Sequence, residues 1–232
     1  PFSWSRQQPE QTKTLLLPQV SRCAAHAVEY LHSRGIDYEL IDFCIRTGRL
    51  YESYPHHNAV FVGKDKDGQP RYACLRGIGT DFKGEATGSD KRFAFSIPAE
   101  EPSTVLYLFE SAIDLLSFAT MAQEDKLPWR SQHLLSLAGV YQPKKNLTER
   151  RLPLALSQYL RDHREVQTIY LCLDNDLAGR SAADAIRQQL AGKYVVRDGF
   201  PCQGKDYNDW LCLRKGLPIT KTVPKTERSM AR

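Results

Sequence analysis

The 232-residue chain has 41% hydrophobic and 25% charged residues, which is typical of a soluble globular protein with one large domain or two small ones. It contains no apolar stretch near the roughly 20 residues of a membrane span, and its N-terminus lacks the pattern of a signal peptide. We therefore expect a cytoplasmic protein without a membrane partner. Because the first residue is Pro1, we also expect a processed product or a segment of a longer protein.

The formal net charge of +5 is concentrated at the C-terminus. Residues 214–232 contain six basic residues and one glutamate, so this basic tail accounts for the whole net charge. Such a tail adds sequence-independent affinity for phosphates, and a solvated, disordered terminus is the alternative. At the other end, residues 1–18 are polar and predict a linker or arm.

The six cysteines are scattered and form no C-x-x-C pair. This spacing does not favour a structural zinc site, and the absence of a secretory signal does not favour disulfides. Most of the cysteines have apolar neighbours, which indicates small core residues in a reducing compartment.

The first half of the chain predicts a smaller α+β subdomain, residues 19–100. Helical spacing over 24–31 is followed by a second short helix that Asp37 can cap. Apolar runs at 59–62 and 71–75 flank an Asp/Gly turn and predict a β-hairpin.

Three further features of this half bear on function. His56 and His57 are adjacent but lack a third ligand at the spacing of a metal site, which favours a polar loop. A Gly-rich basic segment covers 76–91, and another strand is predicted at 93–97. Phe82, Phe93 and Phe95 alternate there with basic residues, which suits stacking on a single nucleic-acid strand, but core packing explains Phe93 and Phe95 equally well.

Residues 101–213 predict an α/β domain in which strands alternate with helices. The strands are predicted at 104–109, 133–137, 168–173 and 194–197, and the helices at 111–121, 152–161 and 178–190. This alternation indicates βαβ units and a parallel sheet. Right-handed crossovers then bring the carboxyl ends of all four strands to one edge of the sheet.

Acidic residues follow two of these strands. Glu110 closes the first strand, and Asp114 lies one helical turn beyond it on the same face. Asp174 and Asp176 close the third strand, where their spacing lets both carboxylates share a cation. Carboxylates at strand ends are the hard oxygen ligands that Mg²⁺ prefers. Taken alone, Glu110 is better explained as a helix-capping carboxylate, and for Asp176 a turn and helix N-cap is the alternative.

A third acidic group follows the last strand. Asp206 and Asp209 can complete an acidic cluster, with Lys205 beside them, and a surface loop before a capped helix is the alternative. Arg180 lies at the start of a predicted helix, where a phosphate could dock.

The acidic motifs resemble those of the Toprim domain, which bacterial primases, type IA and type II topoisomerases and several nucleases share. The resemblance rests on Phe109-Glu-Ser-Ala-Ile-Asp114, on Leu173-Asp-Asn-Asp-Leu-Ala-Gly-Arg180 and on Gly204-Lys-Asp-Tyr-Asn-Asp209. The span from about residue 25 to 213 is similar to primase-like proteins of bacterial plasmids and integrative elements. These join an uncharacterised N-terminal domain to a Toprim domain.

The resemblance implies an α/β fold, with a Toprim-type parallel four-stranded sheet and flanking helices behind the smaller α+β subdomain. It implies Mg²⁺, with Mn²⁺ as the alternative ion, held by Glu110, Asp174, Asp176, Asp206 and Asp209. The implied catalytic residues are Glu110, Asp114, Asp174 and Asp176. The residues expected to contact nucleic acid or nucleotide are Arg76, Lys83, Lys91, Arg92, Arg180 and Lys205. One departure is Ser111, because primases usually have glycine after the motif glutamate.

The expected function is that of a primase-like nucleotidyltransferase. It would use a single-stranded DNA template and nucleoside triphosphates in the replication or transfer of a mobile element. Its expected partners include other domains of a longer chain and a helicase or relaxase. The alternatives are a Toprim nuclease, and a catalytically weak nucleic-acid-binding module of a larger mobilisation protein.

Overall fold

Two β-sheets pack around a shared hydrophobic core in the computed structural model of the chain, which describes residues 14–139 and 152–219. Residues 1–13 of the predicted arm and 220–232 of the predicted basic tail lie outside the described residues. Within the part that is described, no helix combines the length and the apolar character needed to cross a membrane.

The N-terminal part is α+β, as predicted. Its elements are α1 (Ala25–Ser33), α2 (Tyr38–Arg46), β1 (Leu50–Glu52), β2 (Ala59–Lys64), β3 (Pro70–Arg76) and β4 (Lys83–Glu85). The four strands form an antiparallel sheet in the order β1-β2-β3-β4. Asp37 is the N-cap of helix α2, because its side chain accepts a hydrogen bond from the backbone N–H of Glu39 at 2.8 Å. The predicted N-cap and the β2–β3 hairpin are confirmed.

The second sheet is mostly parallel and is flanked by helices. Its strands are β5 (Ser96–Ile97), β6 (Val105–Phe109), β7 (His133–Ser136), β8 (Thr168–Cys172) and β9 (Val195–Asp198), in the order β5-β7-β6-β8-β9. The helices are α3 (Ala112–Glu124), α4 (Leu154–Asp162), α5 (Leu177–Leu190) and α6 (Tyr207–Arg214), and short 3₁₀ turns cover Lys91–Phe93 and Trp129–Ser131. Strands β6 to β9 are the four predicted parallel strands. Strand β5 is an additional outer strand that pairs with β7 in the antiparallel direction.

The strand predicted at 93–97 is shorter than expected. The Asp90 side chain accepts a hydrogen bond from the backbone N–H of Arg92 at 3.0 Å and starts a 3₁₀ turn that ends at Phe93. Only Ser96–Ile97 is extended, and it pairs with β7 of the second sheet. Because of this local cap, the chain passes from one sheet to the other at this point.

Helix α6 carries the fold into the segment predicted as a basic tail. Arg214 is the last residue of α6, and its Nη1 lies 2.9 Å from Asp125 Oδ2. Lys215 Nζ lies 2.9 Å from Glu124 Oε1 and 2.7 Å from the carbonyl oxygen of Gly35. The first two basic residues of the tail are therefore paired with the end of α3 and the turn after α1.

The register of the parallel strands determines which residues share an edge. Phe109 pairs with Ser136 on one side and with Cys172 on the other. The residues that follow β6, β7 and β8 therefore leave the sheet at the same edge, which places Glu110 beside the segments that begin at Leu137 and Leu173.

Candidate functional site

Glu110 is the buried carboxylate at the centre of this edge. Its side chain lies directly after β6, is 7% exposed, and accepts a hydrogen bond at Oε1 from the backbone N–H of Asp174 at 3.2 Å. Burial, together with the negative charge of Asp174, raises the pKa of Glu110 to about 7 from an ordinary value of 4.5. A carboxyl group with this pKa can both take up and release a proton near neutral pH.

The carboxylates of Asp174 and Asp176 both form ion pairs with the ammonium group of Lys205. Lys205 Nζ lies 3.0 Å from Asp174 Oδ2 and 3.2 Å from Asp176 Oδ2. Burial raises the pKa of Asp174, which Lys205 partly offsets. The hydrogen bond from the Gly179 backbone N–H holds the pKa of Asp176 below its ordinary value. Two carboxylates facing one ammonium group define a position that favours a cation.

Backbone hydrogen bonds fasten the loops after β8 and β9 to each other. The N–H of Asn175 donates to the carbonyl oxygen of Lys205 at 2.7 Å. The N–H of Lys205 donates to Asp209 Oδ2 at 3.1 Å, and Asp206 caps α6 by accepting from the N–H of Asp209 at 2.8 Å. The structure thus brings the three predicted acidic groups together, although Asp209 is engaged with the backbone of its own loop.

Asp114 lies behind this edge and is 6% exposed. Its Oδ2 accepts from the Ser111 hydroxyl at 2.5 Å, and its Oδ1 accepts from the backbone N–H of Asn208 at 3.4 Å. Burial, with the negative charge of Asp206, raises the pKa of Asp114 to about 8. This arrangement ties the start of α3 to α6, which suits a positioning role.

The backbone conformation at Ser111, directly after Glu110, is compatible with a side chain. Its φ of −132° lies in the extended region that any residue adopts, so glycine is not required there. The Ser111 hydroxyl accepts the N–H of Asp114 at 3.3 Å and thereby caps α3.

A cavity of about 460 Å³ opens between the two sheets, next to Glu110. One wall is the strand-end edge, including Glu110 and Ser111. The other wall comes from β3 and β4 and carries the predicted basic residues Arg76 and Lys83. Sequence reasoning missed the other lining residues, for which no local motif exists: Tyr72, Cys74, Gly84, Glu85, Ala112, Ser136, Ala138 and Gly139. The β3–β4 wall also carries Glu85, so the cavity presents both acidic and basic side chains.

The other predicted basic residues lie elsewhere. Lys91 Nζ pairs with Glu85 Oε1 at 2.9 Å, on the rim of the β4 wall. Arg92 forms an ion pair with Asp90 at 2.7 Å and lines a separate cavity. Arg180 hydrogen-bonds Asn175 at the start of α5. Of the six predicted basic residues, the structure therefore places two in the cavity and Lys205 among the carboxylates.

Gly179 permits the close approach of α5 to the acidic edge. A Cβ atom there would lie 2.1 Å from the carbonyl oxygen of Asp174 and 3.0 Å from Glu110 Oε1. We expect Gly179→Ala to destabilise the fold by about 1–3 kcal/mol, because the backbone of the Asp174 loop has to move. Urea unfolding measures the change, with Ala178→Ser at the exposed neighbouring position as the control. An unchanged midpoint for Gly179→Ala would contradict this account.

The donor set at the edge fits a hard divalent cation. The Lys205 ammonium group takes a cation's position between the carboxylates of Asp174 and Asp176, and Glu110 accepts the backbone N–H of Asp174 beside them. Among the described residues these three carboxylates are not a group whose oxygen atoms all lie within 4.8 Å of one another, so a shared ion would draw the side chains closer together. Carboxylate oxygens without sulfur or imidazole donors match the preference of Mg²⁺ and Mn²⁺.

Two family matches cover successive parts of the chain, and the first of them includes β5 of the second sheet. Residues 29–102 match a protein family of unknown function, DUF3991, and residues 107–211 match the Toprim-like family. Toprim domains bind divalent metal ions.

Two curated relatives align with most of the chain. A 65 kDa protein of Zymomonas mobilis is 28% identical over 215 residues, which cover 88% of this chain and 34% of the relative. The uncharacterised protein pXO2-78 of Bacillus anthracis, whose name carries a plasmid designation, is 24% identical over 186 residues, which cover 75% of this chain and 49% of the relative. The chain thus spans about a third to a half of the length of these relatives.

The fold is that of primase catalytic cores. Primase domains of bacteriophage T7 gp4, solved bound to an RNA/DNA hybrid and dTTP, match with a TM-score of 0.54 at 20% identity over 80% of this chain and 84% of theirs. The Escherichia coli primase catalytic core matches with a TM-score of 0.52 at 16% identity over 84% of this chain and 70% of its own. A primase catalytic domain bound to single-stranded DNA matches with a TM-score of 0.51 at 16% identity, over 85% and 72% respectively.

Proposed function

We propose that this protein, whose residues 107–211 are a Toprim-like domain in a primase-like fold, is a magnesium-dependent nucleotidyltransferase acting on single-stranded DNA. One observation carries the proposal: the cavity between the two sheets has Glu110 on one wall and Arg76 and Lys83 on the other. A nucleotide's phosphates would face the basic wall while the reacting oxygen faces the carboxylate.

The metal would be held by Glu110, Asp174 and Asp176, with Asp206 close enough to interact with Asp174. When bound, Mg²⁺ would neutralise charge on the reacting phosphates and polarise the bond that breaks. Lys205 would then turn from the aspartates toward a phosphate, since its ammonium group is exposed on the loop after β9.

Proton transfer would fall to Glu110. The 3′-hydroxyl oxygen of one nucleotide attacks the α-phosphorus of a nucleoside triphosphate, the bond to the β-phosphate oxygen breaks, and pyrophosphate leaves. The hydroxyl proton goes to the Glu110 carboxylate, through the oxygen atom that does not hold the metal. Because the side chain is buried and accepts the Asp174 N–H, it is held in place before substrate arrives.

We propose single-stranded DNA and nucleoside triphosphates as the substrates of this chain, and the ligands bound to primase domains of the same fold support this choice. One such domain is known bound to single-stranded DNA, and those of bacteriophage T7 gp4 are known bound to an RNA/DNA hybrid and dTTP. We further propose that the chain works as one part of a longer protein of a mobile element, in contact with a helicase or relaxase, because its matches cover only 34% and 49% of the length of its relatives.

The proposed reaction is tested by measuring the length of labelled DNA before and after incubation with the protein. Single-stranded DNA is incubated with the protein, Mg²⁺ and each of ribo- and deoxyribonucleoside triphosphates, and the products are resolved on a gel. Extended or newly made strands support nucleotidyl transfer. Shortened strands would contradict nucleotidyl transfer and indicate a nuclease, in which the same carboxylates activate water. Binding without either product would leave a nucleic-acid-binding module.

The basic wall of the cavity should carry part of the affinity for phosphates. We expect Arg76→Gln and Lys83→Gln each to weaken binding of single-stranded DNA or nucleotide, and to reduce the slope of log affinity against log salt by about 0.7 for each strand phosphate lost. Fluorescence anisotropy over a range of salt concentrations measures this slope. Lys126→Gln, beyond the far end of α3, is the control, and an equal loss in that variant would argue against the cavity as the phosphate site.

A further inference from the structure

Three potential metal ligands from separate elements meet at a place that shares no residue with the acidic edge. His26 lies in α1, Glu52 ends β1, and His57 lies in the β1–β2 loop. His26 Nδ1 is 2.9 Å from Glu52 Oε1, and His57 Nδ1 contacts the same oxygen atom. One ligand atom from each residue lies within 4.8 Å of the other two. His57 lies in a loop, as the sequence predicts, but the β1–β2 turn folds it back onto Glu52, a potential ligand that the sequence spacing did not indicate.

Glu52 is an unusual anchor for this group because its carboxylate is buried, with the residue 1% exposed. Its second oxygen, Oε2, accepts the backbone N–H of Ala27 at 3.0 Å, which fixes the orientation of the carboxylate. A buried carboxylate is costly unless positive charge or a metal compensates it. Oε1, the oxygen that remains, is the one that both imidazole rings face.

The backbone at His57 provides a second, independent observation. Its φ is +52°, a left-handed conformation that residues other than glycine adopt uncommonly. Such conformations persist when the surrounding structure requires them, and they concentrate at ligand-binding sites. Here the conformation turns the His57 ring toward Glu52 and against the His26 ring, whose centroid is 4.8 Å away.

The group opens to solvent on one side. The side chains of His26 and His57 are 58% and 43% exposed, and His57 lines a cavity of about 540 Å³ together with Tyr54 and residues 19–22. The cavity wall is fixed to the same strand end, since the N–H of Ser21 donates to the carbonyl oxygen of Glu52 at 2.8 Å. An additional ligand therefore has access from the cavity side.

We propose that His26, Glu52 and His57 bind a divalent transition-metal ion of zinc's class, with a further coordination position open to water or a ligand in the cavity. Two imidazoles with one carboxylate are a known zinc donor set, and three protein ligands leave a position open. Imidazole donors disfavour Mg²⁺, so this site and the acidic edge select different ions. The ion fastens the first turn of α1 to the end of β1 and to the β1–β2 loop.

A second group, His133, His163 and Glu165, does not support the same inference. The backbone N–H of Ala99 donates to His133 Nδ1 at 3.3 Å, and the Tyr159 hydroxyl lies 3.0 Å from the same atom. Nδ1 is thus an acceptor, and the ring proton lies on Nε2, the atom nearer Glu165. Because the Ala99 N–H occupies Nδ1, the ring proton of His133 cannot move there to free Nε2 for a metal. The Nδ1 protons of His26 and His57, by contrast, face Glu52 and can leave when an ion binds, since both rings are partly exposed.

Cobalt binding tests the proposal, because Co²⁺ coordinated by nitrogen and oxygen has a visible absorption band. The chelator-treated full chain is titrated with Co²⁺ in excess Mg²⁺, which occupies the acidic edge, and Zn²⁺ is then added. We expect one Co²⁺ per chain, displaced by Zn²⁺. His26→Gln and His57→Gln should each weaken binding at least about 100-fold, because loss of an outer partner of a metal ligand already costs about 10–100-fold.

Two variants separate ligation from a structural effect. His56→Gln changes the exposed neighbouring histidine and should bind Co²⁺ as the wild type does. His57→Cys should retain binding, because a thiolate also ligates zinc and cobalt. If His57→Gln fails to fold, His26→Gln at its exposed position provides the test. Wild-type protein without a cobalt band, or equal binding by wild type, His26→Gln and His57→Gln, would overturn the proposal and leave a hydrogen-bonded ion pair.

Discussion

Glu110→Gln is expected to make the metal-free protein more stable and to abolish nucleotide transfer. The pKa of Glu110 rises from 4.5 when unfolded to about 7 when folded, so the folded state favours the protonated form. Stability from this group is fully present below pH 4.5 and is lost as pH rises through 7, a loss of about 3 kcal/mol. Glutamine stays neutral and can still accept the Asp174 N–H, so the variant avoids that loss.

The stability gain should depend on pH in a defined way. At about pH 8 and with a chelator present, Glu110→Gln should unfold at a melting temperature several degrees above wild type, and the difference should vanish at about pH 4.5. Thermal unfolding followed by circular dichroism measures both values. Glu101→Gln, at an exposed position before β6, should show no such difference. A Glu110→Gln variant less stable than wild type at the higher pH would contradict the burial argument.

Activity should change in the opposite direction. Removal of a general base or metal ligand costs about 10²–10⁴-fold in rate, and glutamine provides neither function. Affinity for single-stranded DNA should remain, because the basic wall at Arg76 and Lys83 is untouched. A stable, DNA-binding and inactive variant is the combination expected when a residue serves chemistry at the expense of folding.

Asp174→Asn is expected to remove the response of the protein to Mg²⁺. An ion that binds only the folded state stabilises it by about 2.7 kcal/mol at a hundredfold excess over its dissociation constant. The Asp174 and Asp176 carboxylates face the same Lys205 ammonium group, so the Asp174 carboxylate is one side of the cation position. The backbone N–H of Asp174 also donates to the Glu110 side chain. Asparagine keeps the shape and that N–H but removes the charge.

Melting temperature as a function of Mg²⁺ concentration measures this effect. Wild type should gain several degrees with Mg²⁺, whereas Asp174→Asn should gain none and should form no product. Asp67→Asn, in the exposed β2–β3 turn, should respond as wild type does. An Asp174→Asn variant with an unchanged response would move the metal site away from this edge.

The sheet and the position of its acidic residues follow from local sequence patterns. The alternation of apolar strands with helices predicts the parallel sheet, and its right-handed crossovers place the residues after each strand on one edge. Glu110 and Asp174 occupy that edge because each directly follows a strand, and adjacent parallel strands keep them in register. The caps at Asp37 and Asp176 are equally local.

Contacts between distant segments could not be predicted in this way. The basic wall of the cavity comes from β3 and β4, which face the second sheet only because the two sheets share a core. His26 reaches Glu52 across 26 positions, and no local pattern reports that contact. The short strand at Ser96–Ile97 is set by pairing with β7, which tertiary packing decides.

Release of pyrophosphate with growth of the DNA strand tests the central claim most directly. Nucleotidyl transfer yields one pyrophosphate for each nucleotide added, whereas hydrolysis of DNA yields none. We predict that wild-type protein with single-stranded DNA, nucleoside triphosphates and Mg²⁺ releases pyrophosphate in step with strand growth, and that Glu110→Gln releases none. Shortened strands without pyrophosphate, or equal release by Glu110→Gln, would contradict the assignment.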